Sequence, residues 1–461
     1  MDLFWHRRDL RISDNVGLAA SEGPMLPVFV LDPSLLEYAS PNRLAFLLGA
    51  LSDLRSAYRE RGGDLLVERG EPVSVLPAVA ADYEATTVHW NRDFSGKAEE
   101  RDTVVTEALD ADSIHHEQHD DALLHEPRSI LTNEGKTYSV FSYFWEKWRS
   151  REKASPVTEP GSFAAPETTT IPTLAELGAD TPQADLPEPT RERATERLED
   201  FCDGPIYRYD EARDYPARDA TSRLSPYLRF GLIGIRTVWE STVRAKEGAP
   251  DEVARDAATE YQRQLAWREF YAHALQANPS MVWRNVRTYE QPIEWRVDSE
   301  ELEAWKAGRT GYPIVDAGMR QLREEGWMHN RLRMIVASFL TKDLMIDWRA
   351  GYDHFRTHLV DHDPGNDAGG WQWAASTGMD AQPYFRIFNP MTQGERYDPE
   401  AEYITTYVPE LEEVAADEIH QWTELDAGQQ AELAPAYSSP IVDHAERRET
   451  ALDMFERARG G

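Results

Sequence analysis

Short apolar runs rich in β-forming residues occur at Leu26–Leu31, Leu65–Val67 and Thr86–Trp90, each closed by polar or turn residues. That pattern predicts strands. Between them, Arg43–Arg59 sets Leu44, Leu47, Leu48, Leu51, Leu54 and Tyr58 on one helical face. Strand–helix alternation through residues 1–130 predicts an α/β domain built on a mainly parallel sheet. From about 201 the texture turns helical and aromatic. Leu332, Ile335, Val336, Phe339, Leu340 and Leu344 form a single helical stripe. No strand pattern of similar strength follows, so 201–461 reads as a large all-α domain, acidic after Glu400. The intervening 131–200 includes a Pro-, Thr- and acid-rich stretch, Ser155–Pro189, that reads as an interdomain connector. There is no internal repeat.

Charge changes this picture in one respect. The 461 residues carry 82 acids against 49 bases, a net charge of -33, and only 7 of the bases are Lys. Acid-rich and Lys-poor, yet 41% apolar, the chain looks adapted to high salt. At 1 M salt the Debye length is about 3 Å, so repulsion among surface carboxylates is muted. The balance excludes a globally basic nucleic-acid coat. The acid is unevenly spread: residues 101–200 carry a net -11 and 401–450 a net -10, whereas 201–350 carry -1. No run of about 18 apolar residues predicts a membrane span. The charged start, MDLFWHRRDLR, is unlike a secretory leader. A single cysteine, Cys202, leaves no internal disulfide and fits a reducing cytoplasm.

Candidate chemistry lies mainly in the second half. Thr221, Ser222, Arg223 and Ser225 cluster before an apolar run, with Ser225 placed to cap a helix that has Pro226 at its first position. Hydroxyls and a guanidinium at a helix start suit a phosphate, although capping alone explains the same residues. Tyr261–Leu275 places Gln264, Trp267, Arg268 and Tyr271 on adjacent helical faces, suited to aromatic packing or to stacking on a base. Neither G-x-G-x-x-G nor a P-loop occurs. Asp361, Asp363 and Asp367 do not make an EF-hand, because Gln372 stands where its glutamate belongs. His115, His116 and His119 lack nearby cysteines and read as a solvated loop, so no metal is expected. No Ser-His-Asp or Cys-His set can be assembled. Fourteen tryptophans stand out.

Six strings in order resemble the photolyase/cryptochrome family, and more narrowly the class I cyclobutane pyrimidine dimer (CPD) photolyases. They are FWHRRDLRISDN from Phe4, YDEARDYPARDATSRLSPYLRFG from Tyr209, WREFYAH from Trp267, GRTGYPIVDAGMRQL from Gly308, GWMHNRLRMIVASFLTKDLMIDWR from Gly326 and GGWQWAASTGMDAQPYFRIFNP from Gly369. The resemblance implies a Rossmann-like α/β antenna domain (1–130), a linker (131–200) and an all-helical FAD- and DNA-binding domain (201–461). It implies light-driven repair, in which excited reduced FAD donates one electron to a flipped-out dimer, the ring splits and the electron returns.

By motif, Tyr209, Thr221, Ser222, Arg223, Leu224, Ser225 and Tyr261 would hold FAD. Asp361, Asp363 and Asp367 would lie at the flavin, with Arg333 pairing Asp361. Trp267 and Trp373 would wall the dimer pocket, with Gln264, Asn330 and Met334 touching the lesion. Arg213, Arg331 and Gln393 would contact DNA; Arg268 joins them as a DNA-side candidate from its own helix. Trp371, Trp348 and Trp295 would carry electrons from the surface. Two positions depart from the CPD pattern: Gln264 replaces the usual Glu, and Asp367 the usual Asn. Asn330 follows the CPD form, where (6-4) enzymes place a catalytic histidine. The antenna pigment is expected to be 8-hydroxy-5-deazaflavin rather than methenyltetrahydrofolate. The partner would be UV-damaged DNA and the protein a monomer. A cryptochrome photoreceptor, or less so a (6-4) photolyase, is the alternative.

Overall fold

The computed structural model describes residues 1–21, 23–166 and 170–460. They form two compact units. The first comprises Met1–Pro182, Leu186–Tyr209 and Thr221–Pro279; the second, Gln183–Asp185, Asp210–Ala220 and Ser280–Gly461.

The first unit is built on five parallel strands: β1 (Asp2–His6), β2 (Met25–Leu31), β3 (Leu66–Arg69), β4 (Thr87–Asn91) and β5 (His115–His119). Their order is β3-β2-β1-β4-β5. The sheet forms because Leu3, Trp5, Leu26, Val28, Val30, Val88 and Trp90 bury their side chains, joined by Leu76, Val79, Val105 and Leu109 from covering helices. Burial on both faces is what crossover helices give a parallel sheet. The three expected strands match β2, β3 and β4 within a residue or two. The helix expected at Arg43–Arg59 runs Pro41–Glu60, with the Ser40 side chain accepting from Arg43 N.

One expectation is corrected. His115–His119 is not a solvated loop but the edge strand β5. None of its residues is fully buried and His115 and Glu117 are exposed, so apolar periodicity could not reveal it. Pairing with β4, in the register His89 opposite Glu117, makes it a strand.

The 131–200 stretch contains a helix, Phe141–Ser150, whose Phe141, Phe144 and Trp148 are buried. Phe144 meets Phe270 and His273 edge-on, so this helix packs on the long helix Glu252–Ala277. No helix or strand of any length is formed between it and helix Arg191–Asp203, among the described residues. That segment is tied down by Ala164 N donating to Met25 O and by Glu159 bridging Ser13 and Arg61.

The second unit is helical. The stripe from Leu332 to Leu344 is buried as expected. It is not one regular helix: Asn330–Ser338 is α-helical, and Phe339–Asp343 follows as a wider i→i+5 turn. The acidic end is folded into this unit rather than trailing from it. Tyr437 OH donates to Asp316 Oδ2 (2.6 Å), Arg320 pairs with Glu410, and Trp422 and Phe455 are fully buried.

Candidate functional site

In the first unit, helix Glu252–Ala277 starts at Asp251, whose side chain accepts from Ala254 N. Tyr261 lies on its buried face. The Tyr261 hydroxyl donates to Ser222 Oγ at 3.0 Å, and Ser222 Oγ accepts from Leu224 N. Burial pushes the Tyr261 phenol far above its ordinary value, so it stays a donor. Tyr209 meets Tyr261 edge-on at 5.2 Å, and both rings pack on Phe201. This network fixes the Thr221–Leu224 turn, in which Arg223 adopts a left-handed φ of 47°.

The expected cap is displaced by one residue. Helix Ser225–Phe230 has Leu224 at the cap, so Ser225 is its first helical residue and Leu224 has no side-chain oxygen to offer the first N–H groups. Pro226 remains in the first turn, where its missing N–H costs nothing.

On the next face of the long helix, Gln264 Nε2 donates to Glu260 Oε1 at 2.8 Å. Trp267 stacks flat on Phe141, centroids 3.7 Å apart and planes 9° apart, and stays half-buried. Phe141 was not singled out by sequence reasoning; its pairing crosses more than a hundred residues. Arg268 Nη1 donates to Ala122 O, a structural bond within this unit. Arg236, also at a helix start, is fully engaged by Asp14 and Asp121.

In the second unit, Arg333 Nη2 donates to both carboxylate oxygens of Asp361 (3.0 and 2.7 Å), while its Nε donates to Met328 O. Arg333 Nη1 is 3.8 Å from Asp367. Burial alone would lower the Arg333 pKa; the two carboxylates outweigh it and hold the guanidinium protonated. Asp367 also shares a 2.5 Å hydrogen bond with His362 and accepts from Asp363 N. Asp363 caps helix Pro364–Ala374 through Asn366 N. Sequence reasoning missed His362; the run Asp361-His362-Asp363 held the signal.

Asn330 begins helix Asn330–Ser338, exposed, with Met334 one turn on and its Nδ2 3.8 Å from the Met334 sulfur. Arg331 pairs with Asp214 and lies over the Tyr397 ring. Arg213, Trp373 and Gln393 are half-buried, Gln393 on helix Pro390–Tyr397.

The three tryptophans differ in exposure. Trp371 and Trp348 are buried; Trp295 is half-buried. Trp371 packs edge-on to Phe355 (4.9 Å) and so closely over Gly351 that a Cβ there would fall 2.0 Å from its ring. Gly351, Trp348 and Phe355 share helix Trp348–His358. Trp348 Nε1 donates to Asn285 Oδ1. The Trp295 backbone adjoins the same region, because Arg296 N donates to Met345 O. Helix Trp348–His358 thus bears one buried indole and packs on the other, whereas the Trp295 ring meets Phe455 edge-on at 5.9 Å.

In the first unit, hydroxyls and a guanidinium at Thr221–Ser225 are groups suited to a phosphate, and the second unit carries the Arg333–Asp361 ion pair. Two family models match the chain. Residues 2–162 match DNA photolyase, and residues 261–457 match the FAD binding domain of DNA photolyase. An α/β domain joined to a helical FAD-binding domain defines a photolyase-type flavoprotein. The chain belongs to the photolyase/cryptochrome family. It is 55% identical to the deoxyribodipyrimidine photo-lyase of Halobacterium salinarum, over 100% of both chains. It superposes with a TM-score of 0.92 on a bacterial class III photolyase from Agrobacterium tumefaciens, 36% identical, covering 100% of this chain and 98% of that one. An archaeal photolyase from Sulfolobus tokodaii, solved with two FAD molecules, gives a TM-score of 0.85 at 32% identity, covering 99% and 100%.

Proposed function

We propose that the protein is a deoxyribodipyrimidine photo-lyase that splits cyclobutane pyrimidine dimers in UV-damaged DNA. Full-length similarity at 55% identity to a protein of that name carries this reading. Bound reduced FAD, excited by light, would supply one electron to the lesion and take it back, so the two bonds of the cyclobutane ring break with no net redox change.

The chain's own residues then have defined tasks. Tyr209, Tyr261 and the Thr221–Ser225 turn hold the cofactor's polar end. Arg333, Asp361, Asp363 and Asp367 hold its flavin end, where a fixed cation favours an anionic reduced ring. Trp267, backed by Phe141, and Trp373 present aromatic surfaces for the flipped dimer. Gln264, Asn330 and Met334 line the lesion, and Arg213, Arg331 and Gln393 meet the DNA. Arg331 reaches DNA by exchanging Asp214 for a phosphate. Arg268, whose Nη1 donates to Ala122 O, is a further DNA-side candidate on the helix that bears Trp267. Trp295, Trp348 and Trp371 relay electrons inward to regenerate the reduced cofactor. Asn330 favours CPD over (6-4) repair, because an amide cannot serve as the acid that chemistry needs.

The functional division we propose is an antenna domain over 1–130, a linker over 131–200 and a cofactor- and DNA-binding domain over 201–461. An 8-hydroxy-5-deazaflavin antenna is supported by the N-terminal motifs; the chromophore extracted from purified protein identifies it. A salt-rich cytoplasm fits the composition, and a monomer is what the family resemblance implies. Among the described residues, no helix is long and apolar enough to cross a membrane. The central test is dimer-containing single-stranded DNA, chemically reduced holoenzyme, and blue or near-UV light at molar salt. Dimers should disappear only in the light; their persistence overturns the proposal.

A further inference from the structure

The sheet edge carries a side-chain cluster with no part in repair. Side chains alternate along a strand, so His115, Glu117 and His119 share one face of β5 and His116 faces the other way. Parallel register sets His89 of β4 opposite Glu117, with His119 one step further on the same face. Three ligand-type atoms converge there. His89 Nδ1 lies 3.2 Å from His119 Nε2 and 3.6 Å from Glu117 Oε2, and His119 Nε2 lies 3.9 Å from that oxygen. A tetrahedral ion bound at about 2.0–2.1 Å holds its ligands about 3.3–3.4 Å apart. The two nitrogens already sit near that spacing. A small rotation of Glu117, whose side chain is 46% exposed, closes the other two gaps.

The surroundings match the chemistry. His89 is buried, and its other nitrogen, Nε2, makes no hydrogen bond among the described residues. Asp2 Oδ2, on the neighbouring strand β1, lies 3.7 Å from it. A metal-bound imidazole commonly turns its free N–H toward a carboxylate, which fixes the ring.

We propose that His89, Glu117 and His119 form a binding site for a divalent transition metal of the zinc class, with water as the fourth ligand and Asp2 as the outer partner of His89. The ion fastens edge strand β5 to β4. The ligand set differs from the three consecutive-strand histidines visible in the sequence: it takes one residue from each of two distant segments plus a carboxylate between them. A simple His89–His119 hydrogen bond is the competing account, and it has no use for Glu117.

The test uses full-length, FAD-loaded protein stripped with a chelator and titrated calorimetrically with Zn2+. Molar NaCl and excess Mg2+ are present, because Mg2+ occupies surface carboxylates but binds imidazole poorly. One saturable equivalent should bind. His119→Ala and Glu117→Ala should weaken it about tenfold or more, and Asp2→Asn about tenfold. His115→Ala should leave it unchanged, since that ring leans on the other oxygen of Glu117. Glu117 is exposed enough that its alanine variant retains the fold, and Zn2+ should raise Tm in the wild type but not in that variant. No saturable equivalent, or the same affinity in Glu117→Ala and His119→Ala as in the wild type, overturns the proposal.

Discussion

At the scale of single residues, Trp371 shows how tightly a functional side chain can be specified. Its indole rests against Gly351, the only residue type that leaves room for it. Trp371→Phe keeps the packing but removes the easily oxidised indole. It should abolish photoreduction of oxidised enzyme while sparing repair by chemically reduced enzyme; equal loss of both would give Trp371 a second task. Gln264 is tethered to Glu260, so Gln264→Glu places two carboxylates together and should swing the new one off the helix toward the lesion. Dimer affinity should hold or improve, as read by lesion-binding titration. Glu269 offers a pH signature. Fully buried, it accepts from Leu124 N, His125 N and Trp148 Nε1, yet burial still pushes it from 4.5 to about 7. The folded protein therefore holds that proton more tightly than the unfolded chain. Its contribution is complete below about pH 4.5 and fades as pH rises through 7. Against Glu269→Gln, the wild type should lose up to about 3 kcal/mol of stability across that window, measured by chemical denaturation at each pH.

At the scale of elements, local sequence was a good guide wherever burial followed a period. The β2, β3 and β4 strands were legible as short apolar runs, and helix Pro41–Glu60 and the Leu332 stripe because one face of each is apolar. The β5 strand was not, since a polar edge strand forms by hydrogen bonding to its neighbour and leaves no hydrophobic trace. The cap at Ser225 slipped by one residue because two serines and a proline offer several starts, and the Tyr261–Ser222 bond from a distant helix chose among them. Caps that local sequence does set should behave simply. Asp251→Ala, at the start of the helix bearing Tyr261, Gln264 and Trp267, should cost about 1 kcal/mol in denaturant titration.

At the scale of the whole molecule, the charge of -33 and the near-neutral 201–350 region are both properties of sequence, but their consequences differ. The excess of acid should make stability rise with salt. The unfolding midpoint should climb from low to molar salt, and a flat response would contradict adaptation to salt. Buried pairs such as Arg236 with Asp14 and Asp121 are shielded from solvent and should add little to that dependence.

The candidate site was legible as a set of residue types in order: six motifs, their tryptophans, their hydroxyls and their Arg–Asp pair. What those motifs could not tell is how each residue is occupied. Arg268 and Arg331 look alike in sequence, yet Arg268 donates to the Ala122 carbonyl and Arg331 pairs with the Asp214 carboxylate. His362 and Phe141 enter only as neighbours, of Asp367 and Trp267. His89 meets Glu117 and His119 because the β4–β5 register sets them side by side. Sequence alone determined the class of those elements that bury an apolar run or stripe, and the chemistry available, since periodicity and residue type are local. Partners were decided by the tertiary structure, because hydrogen bonds, ring stacks and ligand spacings join atoms that the chain brings together only by folding.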